Sequence, residues 1–85
     1  MSLDYSRLRT ITAREIMAAL FRDGFQLEHV RGSHHLFRHQ DGRRVTVSFH
    51  GRSETFRPKT LRSILEVQAK WNENDLQRLG LLPSV

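Results

Sequence analysis

Hydrophobic and polar positions follow two different periods along the chain, and the change of period predicts the elements. Over residues 16–20 the apolar side chains recur at helical spacing. Thr12 and Glu15 before them have the spacing of a capping box, in which each residue hydrogen-bonds to the other's backbone N–H. Gly24 suits the left-handed position that follows a helix end. These features predict a first helix over about 13–23.

The next part of the chain has the two-residue period of strands. Alternating side chains in Phe25–Arg31 predict a short strand with one buried face. The second strand is predicted at His35–His39 and the third at Arg43–Phe49. Asp41-Gly42 between them is typical of a two-residue type I′ turn, which needs positive φ at both positions. The apolar residues of the third strand are expected to face the core: Val45, Val47 and Phe49.

Helical spacing returns after a polar loop at Gly51–Arg57. Pro58 suits the first turn of a helix, because its missing N–H has no partner there. We therefore predict a second helix over about 59–70, then a short third helix capped by Asn72 and ended by Gly80, then a tail. The order α-β-β-β-α predicts an α+β fold, in which two helices cover one face of a three-stranded antiparallel sheet.

Length and composition narrow the class of protein. The chain has 85 residues, which predicts a single domain over 1–85. It has no cysteine, which excludes a disulfide scaffold, a thiol nucleophile and a thiolate metal site. No apolar run approaches the roughly 20 residues of a membrane span, so no membrane partner is predicted. A cytoplasmic location is the expectation from these features.

The positive charge is concentrated in the middle of the chain. Residues 31–62 hold eight basic and two acidic residues, a net charge of +6, although the whole chain has only +5. This excess favours an anionic partner, with nucleic acid the first candidate, over a coat that serves only solubility. An acidic protein partner is the alternative. The predicted phosphate contacts are Arg31, Arg38, Arg43, Arg44, Arg52 and Lys59.

The candidate chemistry lies in Gly32-Ser33-His34-His35, where a turn places paired histidines at a strand end. Histidine can act as acid or base near neutral pH, so His34 and His35 are the candidate catalytic residues, and Gly32 and Ser33 are expected to shape the turn. Polar surface histidines without chemistry are the alternative. Two histidines without cysteine and with few carboxylates are a poor zinc set, so no metal and no cofactor are predicted.

The motif Gly32-Ser33-His34-His35-x-Phe37-x-His39 resembles the HicA (YcfA-like) family of toxin ribonucleases, and the likeness continues through Thr60–Leu65. It covers about residues 10–70, which leaves 71–85 as a C-terminal extension. The resemblance implies a fold like the double-stranded-RNA-binding domain and an mRNA interferase that needs no metal. It also implies that His34 is the catalytic histidine and that a HicB-like antitoxin is the partner. The alternative function is a non-catalytic RNA-binding module of the same fold.

Overall fold

The computed structural model describes residues 3–83. Its elements are α1 (Tyr5–Leu8), α2 (Ala13–Arg22), β1 (Gln26–Arg31), β2 (His34–Arg38), β3 (Arg44–Ser48), α3 (Pro58–Arg62) with a π-helical continuation (Ser63–Gln68), and α4 (Glu73–Arg78). The strands form one antiparallel sheet in the order β1-β2-β3. The predicted α+β fold, a three-stranded sheet with helices, is confirmed and matches the double-stranded-RNA-binding-domain-like architecture.

One face of the sheet and the helices share a single hydrophobic core. The sheet contributes buried side chains from β2 and β3, and the helices contribute the apolar stripes that the sequence predicts. The predicted inward orientation of the third strand is therefore confirmed. The main members are Phe37, Val45, Val47 and Phe49 from the sheet and its end, and Ile16, Leu20, Leu61, Ile64 and Leu65 from the helices.

The start of α2 is held by its own cap and by the loop that follows β3. The Thr12 hydroxyl accepts the Glu15 N–H at 3.3 Å, and the Glu15 carboxylate accepts the Thr12 N–H at 3.0 Å, which confirms the capping box. The carbonyl of Glu54 accepts the N–H of Ala13 at 2.8 Å. These contacts satisfy amides that have no partner within the helix, and they attach the predicted polar loop to α2.

The turn between β2 and β3 differs from the predicted type I′ turn. The His39 N–H donates to the Arg43 carbonyl at 2.9 Å, and the Gly42 N–H donates to the His39 carbonyl at 3.0 Å, so the loop has three residues. Gly42 has φ +98°, whereas Asp41 does not have positive φ. The Asp41 carboxylate instead accepts the Arg43 N–H at 3.0 Å. A type I turn closed by one left-handed glycine needs positive φ only at Gly42.

The prediction that β1 has a buried face is wrong. All six residues of Gln26–Arg31 are exposed, including Leu27 at 42% and Val30 at 49%. Two features of the fold explain this. β1 lies at the edge of the sheet, and the register shifts between Leu27 and His29, so a bulge breaks the alternation. The apolar residue of this segment that enters the core is Phe25, just before the strand.

The helix predicted over 59–70 widens into a π-helix in its second half. The Ala69 N–H donates to the carbonyl of Ile64, five residues earlier, at 2.9 Å. The wider turn places Gln68 beside β3, where its side-chain oxygen accepts the Thr46 N–H at 2.8 Å. The segment consists of ordinary residues that also suit an α-helix, so its sequence carries no signal for this change.

Both ends of the described chain add to the core. Leu8 of α1 is fully buried, although no element is predicted before residue 13. Asn72 caps α4, as predicted, and Asp75 completes a capping box with it; Leu76 of α4 is fully buried. Leu81, in the predicted tail after Gly80, has no helix or strand structure but packs against the core and is only 9% exposed. The last part of that tail, Ser84 and Val85, lies outside the described residues.

Candidate active site on the open face of the sheet

The sheet face away from the core presents a set of polar and basic side chains, which we call the open face. Strand register aligns them in rows. In the first row Arg31 lies opposite His34, and His34 lies opposite Ser48. Opposite residues of antiparallel strands point to the same face, with their Cβ atoms about 5 Å apart. The open face consists of Gln26, His29, Arg31, His34, Leu36, Arg38, Arg44, Thr46 and Ser48.

His34 is exposed at the centre of the first row, and Ser48 orients its ring. The Ser48 Oγ lies 3.0 Å from the His34 Nδ1. A hydroxyl can donate or accept, so it can hold the imidazole in either neutral tautomer. Within residues 3–83 no hydrogen bond engages the His34 Nε2. The ring therefore presents Nε2 to solvent as a proton donor or a proton acceptor.

His35 points to the opposite face from His34. Its ring stacks on Phe49 with centroids 3.9 Å apart and an angle of 10°. Its Nδ1 lies 2.9 Å from the carbonyl oxygen of Ser33 and 3.3 Å from that of Val47. Because a carbonyl oxygen can only accept, Nδ1 carries the proton. The two histidines are adjacent in sequence, but the fold does not bring their rings together.

Gly32 and Ser33 form the two-residue connection between β1 and β2. Gly32 has φ +58°, a left-handed conformation that glycine adopts without a steric cost. The Ser33 carbonyl accepts the N–H of Phe49 at 3.0 Å as well as the hydrogen bond from His35. The turn is thus attached to the end of β3, and this attachment sets the position of His34 at the start of β2.

The basic residues predicted to contact phosphate are distributed over different parts of the molecule. Arg31, Arg38 and Arg44 lie on the open face, and Arg38 forms an ion pair with Glu28 at 3.3 Å. Arg52 is exposed in the loop after β3. Lys59 is exposed in α3. The sheet therefore brings three of the six predicted residues to the same surface as His34.

Arg43 lies in an ion-pair network instead of on the open face. Its guanidinium contacts the Asp41 carboxylate at 2.8 Å and the Asp23 carboxylate at 3.1 Å. The same group lies over the ring of Phe25, 4.8 Å from the centroid. Its side chain is only 18% exposed. These contacts join the β2–β3 turn to the end of α2.

Asp23 is the centre of this network, and the sequence reasoning did not identify it. Its carboxylate also accepts the indole N–H of Trp71 at 2.8 Å and a guanidinium N–H of Arg78 at 2.8 Å. Burial raises the pKa of Asp23, but the hydrogen bonds from Trp71 and Arg78 and the charge of Arg43 outweigh it and hold the pKa below its usual value. The sequence did contain a signal for this role: Asp23 continues the helical spacing of the apolar residues of α2, and a carboxylate at such a position needs partners.

Two other acids were not predicted: one orders the loop after β3, and the other lies at the edge of the open face. The Glu54 carboxylate accepts the backbone N–H groups of His50 and Gly51, and these bonds lower its pKa. They order the chain just after β3. Glu28 lies beside Arg38 at the edge of the open face. Among residues 3–83, no three histidine, cysteine, aspartate or glutamate side chains gather as a metal site would require.

Basic side chains gathered on one face of a small domain are the electrostatic footprint of a nucleic-acid-binding protein. The family model described as HicA toxin of bacterial toxin–antitoxin matches residues 13–71. The chain belongs to the HicA toxin family, as its glycine–serine–histidine motif predicts, and is a toxin of a toxin–antitoxin pair. No curated protein matches the chain. In the described part of the chain, no helix combines the length and the hydropathy needed to cross a bilayer.

Proposed function

We propose that this toxin is a metal-independent endoribonuclease that cleaves mRNA in the cytoplasm and uses His34 as its general acid and base. One observation carries the proposal. His34 is exposed on the open face, its Nδ1 is held 3.0 Å from the Ser48 Oγ, and Arg31 lies beside it in the next strand. An oriented imidazole next to a guanidinium is the combination that phosphodiester transfer needs.

The reaction requires one proton acceptor and one proton donor. The His34 Nε2 removes the proton of an RNA 2′-hydroxyl, and the 2′-oxygen attacks the adjacent phosphorus. The bond from phosphorus to the 5′-oxygen breaks, and that oxygen takes a proton from the imidazolium. The products are a 2′,3′-cyclic phosphate and a 5′-hydroxyl. Ser48 suits both stages, since Nδ1 keeps its proton throughout and donates it to the Ser48 Oγ while Nε2 takes up and returns the transferred proton.

We propose that His35 supports catalysis indirectly, through the position of His34. Its ring faces away from the open face and holds the carbonyl of Ser33 at 2.9 Å. A change at His35 therefore acts on the turn formed by Gly32 and Ser33, and through it on the position of His34. We expect His35→Ala to lower activity together with stability, because it also removes the stacking on Phe49.

The phosphates of the RNA are proposed to lie along the open face. Arg31 is nearest to His34 in register and would hold the phosphate that is cleaved, while Arg44 lies further along the sheet. Arg52 and Lys59 are exposed outside the sheet and would contact more distant phosphates. Arg43 is left out of this set, since Asp23 and Asp41 engage its guanidinium.

The proposed protein partner is a HicB-like antitoxin that covers the open face. The basic residues around His34 favour an acidic surface on that partner. The proposal treats the chain as a single HicA-like domain, because α1 and α4 pack into the same core as residues 13–71.

The test compares purified wild type with His34→Ala on a fluorescent single-stranded RNA in the presence of EDTA. A general acid–base residue contributes about 10²- to 10⁴-fold in rate, so we expect that loss in cleavage with RNA binding retained. His29→Ala is the matched control, since His29 lies in the next row of the open face. Cleavage by His34→Ala at the wild-type rate contradicts the assignment. A wild type that binds RNA without shortening it indicates the non-catalytic module.

A further inference from the structure

A second site lies at the β1 edge of the sheet, next to the end of the open face away from His34. A cavity of about 340 Å³ opens there, lined by Gln26, Leu27, Glu28, Arg38, His39 and Gln40 together with Gly24 and Gly42. Its volume is at the lower end of the range of about 300–1,000 Å³ for small-molecule sites. The cavity combines one exposed apolar side chain with a carboxylate, a guanidinium and two amides. That mixture suits a flat heterocycle better than a phosphate.

The bulge in β1 gives Glu28 its position. Leu27 pairs with Phe37 and His29 pairs with Leu36, so Glu28 is the extra residue without an opposite partner. A bulge of this kind re-aims a side chain. Here the Glu28 carboxylate lies 3.3 Å from the Arg38 guanidinium, and the two side chains are 43% and 50% exposed. An ion pair this exposed contributes little to stability, so stability alone does not account for it.

Glu28 is also the only acid in the three strands described. On a surface that binds a polyanion, a carboxylate repels phosphate and lowers affinity, unless a ligand N–H group uses it as an acceptor. Nucleobases supply such groups on their edges. In single-stranded RNA these edges are unpaired and available to side chains.

We propose that the cavity lined by Glu28 and Arg38 is a guanine-binding subsite for the RNA that His34 cleaves. Guanine presents two neighbouring N–H donors, N1–H and N2–H, beside the acceptor O6. The Glu28 carboxylate accepts from both donors, and the Arg38 guanidinium donates to O6. The exposed side chain of Leu27 supplies apolar surface for the ring. Each of the other bases can make fewer of these contacts.

The subsite lies four residues along β2 from the proposed catalytic histidine. Four residues span about 13 Å, so the subsite reads a base at a fixed distance from the cleaved phosphate and not the base at that phosphate. The role of this subsite in RNA cleavage rests on the proposed function. Base binding itself does not require that the RNA be cut.

The first experiment therefore measures binding to RNA that cannot be cleaved. The probes are 2′-O-methyl adenosine oligonucleotides with or without one central guanosine. One bidentate contact of this type discriminates by about 5- to 150-fold, and we expect the guanosine probe to bind more tightly by that factor. Glu28→Gln should remove the difference. Glu73→Gln, which makes the same change of charge on exposed α4, should retain it.

The second experiment sequences the cleavage products of a randomised RNA pool. We expect guanine to be enriched at one fixed position relative to the cut in wild type and Glu73→Gln, and not in Glu28→Gln. Equal binding of the two probes by wild type overturns the subsite, as does a guanine preference that survives Glu28→Gln. A guanosine preference in binding without any cleavage overturns the proposed ribonuclease function and leaves the subsite standing.

Discussion

Replacing Asp23 with asparagine tests the network that joins four separate parts of the fold. The Asp23 carboxylate receives hydrogen bonds from Trp71 and Arg78 and an ion pair from Arg43. Its side chain is only 8% exposed. Asparagine keeps the shape of the side chain but removes the negative charge. Its NH2 group cannot accept a hydrogen bond from the arginine N–H groups that the carboxylate oxygen accepts.

The substitution weakens the three contacts by different amounts, and each loss lowers the free energy of unfolding separately. The Trp71 bond changes least, since the asparagine oxygen can still accept from the indole. Arg78 is 52% exposed, and exposed pairs contribute about 0–1 kcal/mol. Arg43 is 18% exposed, and a hydrogen bond to a charged group there contributes about 1.5–3 kcal/mol. We therefore expect Asp23→Asn to lower the free energy of unfolding by about 1.5–4 kcal/mol at pH 7, a large fraction of the ~5–15 kcal/mol typical of native proteins.

The effect has a defined pH dependence. The pKa of Asp23 is lower in the folded chain than the value of about 3.9 in an unfolded chain. The unfolded state therefore binds the proton first as pH falls. The stability from Asp23 is fully present above about pH 3.9 and is lost as pH falls through the folded pKa. The difference between wild type and Asp23→Asn should shrink below about pH 3.9.

Urea unfolding followed by tryptophan fluorescence measures this difference in stability directly. Trp71 is the only tryptophan, and its indole N–H donates to the Asp23 carboxylate. Arg78→Gln is the matched control, since it removes only the half-exposed ion pairs that Arg78 makes with Asp23 and Asp75, and it should cost no more than about 1 kcal/mol. Two results would refute the reasoning. One is equal stability of wild type and Asp23→Asn at pH 7. The other is a difference between them that persists undiminished at pH 2.

Two further predictions concern packing and the turn. Leu76→Ala should cost about 2–5 kcal/mol in urea unfolding, because Leu76 is fully buried although it lies outside the family match. Val67→Ala, at a side chain 64% exposed, should change the free energy of unfolding by less than about 0.5 kcal/mol. Gly42→Ala should lower stability by about 1–2 kcal/mol at φ +98°, and Gly51→Ala, which has open space and no positive φ, should have little effect. Equal costs within either pair would contradict the structural explanation.

Sequence patterns over a few neighbouring residues correctly predicted those features of the fold that depend only on such neighbours. The Thr12–Glu15 capping box is confirmed, and so is the inward face of β3. His34 and His35 are neighbours in β2 and point to opposite faces, as the alternation of strand side chains requires. The errors concern β1 and the turn at Asp41, where sheet position and a bulge override the local pattern.

The candidate site was predictable in part. The glycine–serine–histidine motif identifies His34, but no sequence pattern pairs it with Ser48, which lies 14 residues away. Glu28 looks like an ordinary polar position in an alternating strand. Its place beside Arg38 depends on the bulge and on the register of β1 against β2. Register between strands depends on pairing across the whole sheet, which one segment does not encode.

The sequence by itself determined the class of fold, the basic middle of the chain and the histidine motif, because helix spacing, strand alternation and charge are properties of neighbouring residues. The tertiary structure decided which basic residues share a surface with His34. Arg43 and Arg44 are adjacent and have the same side chain. Of these two, only Arg43 pairs with the Asp23 carboxylate at the end of α2, whereas Arg44 lies on the open face. Alternation along a strand sends neighbouring side chains to opposite faces, and the packing of the helices decides which of those faces stays open.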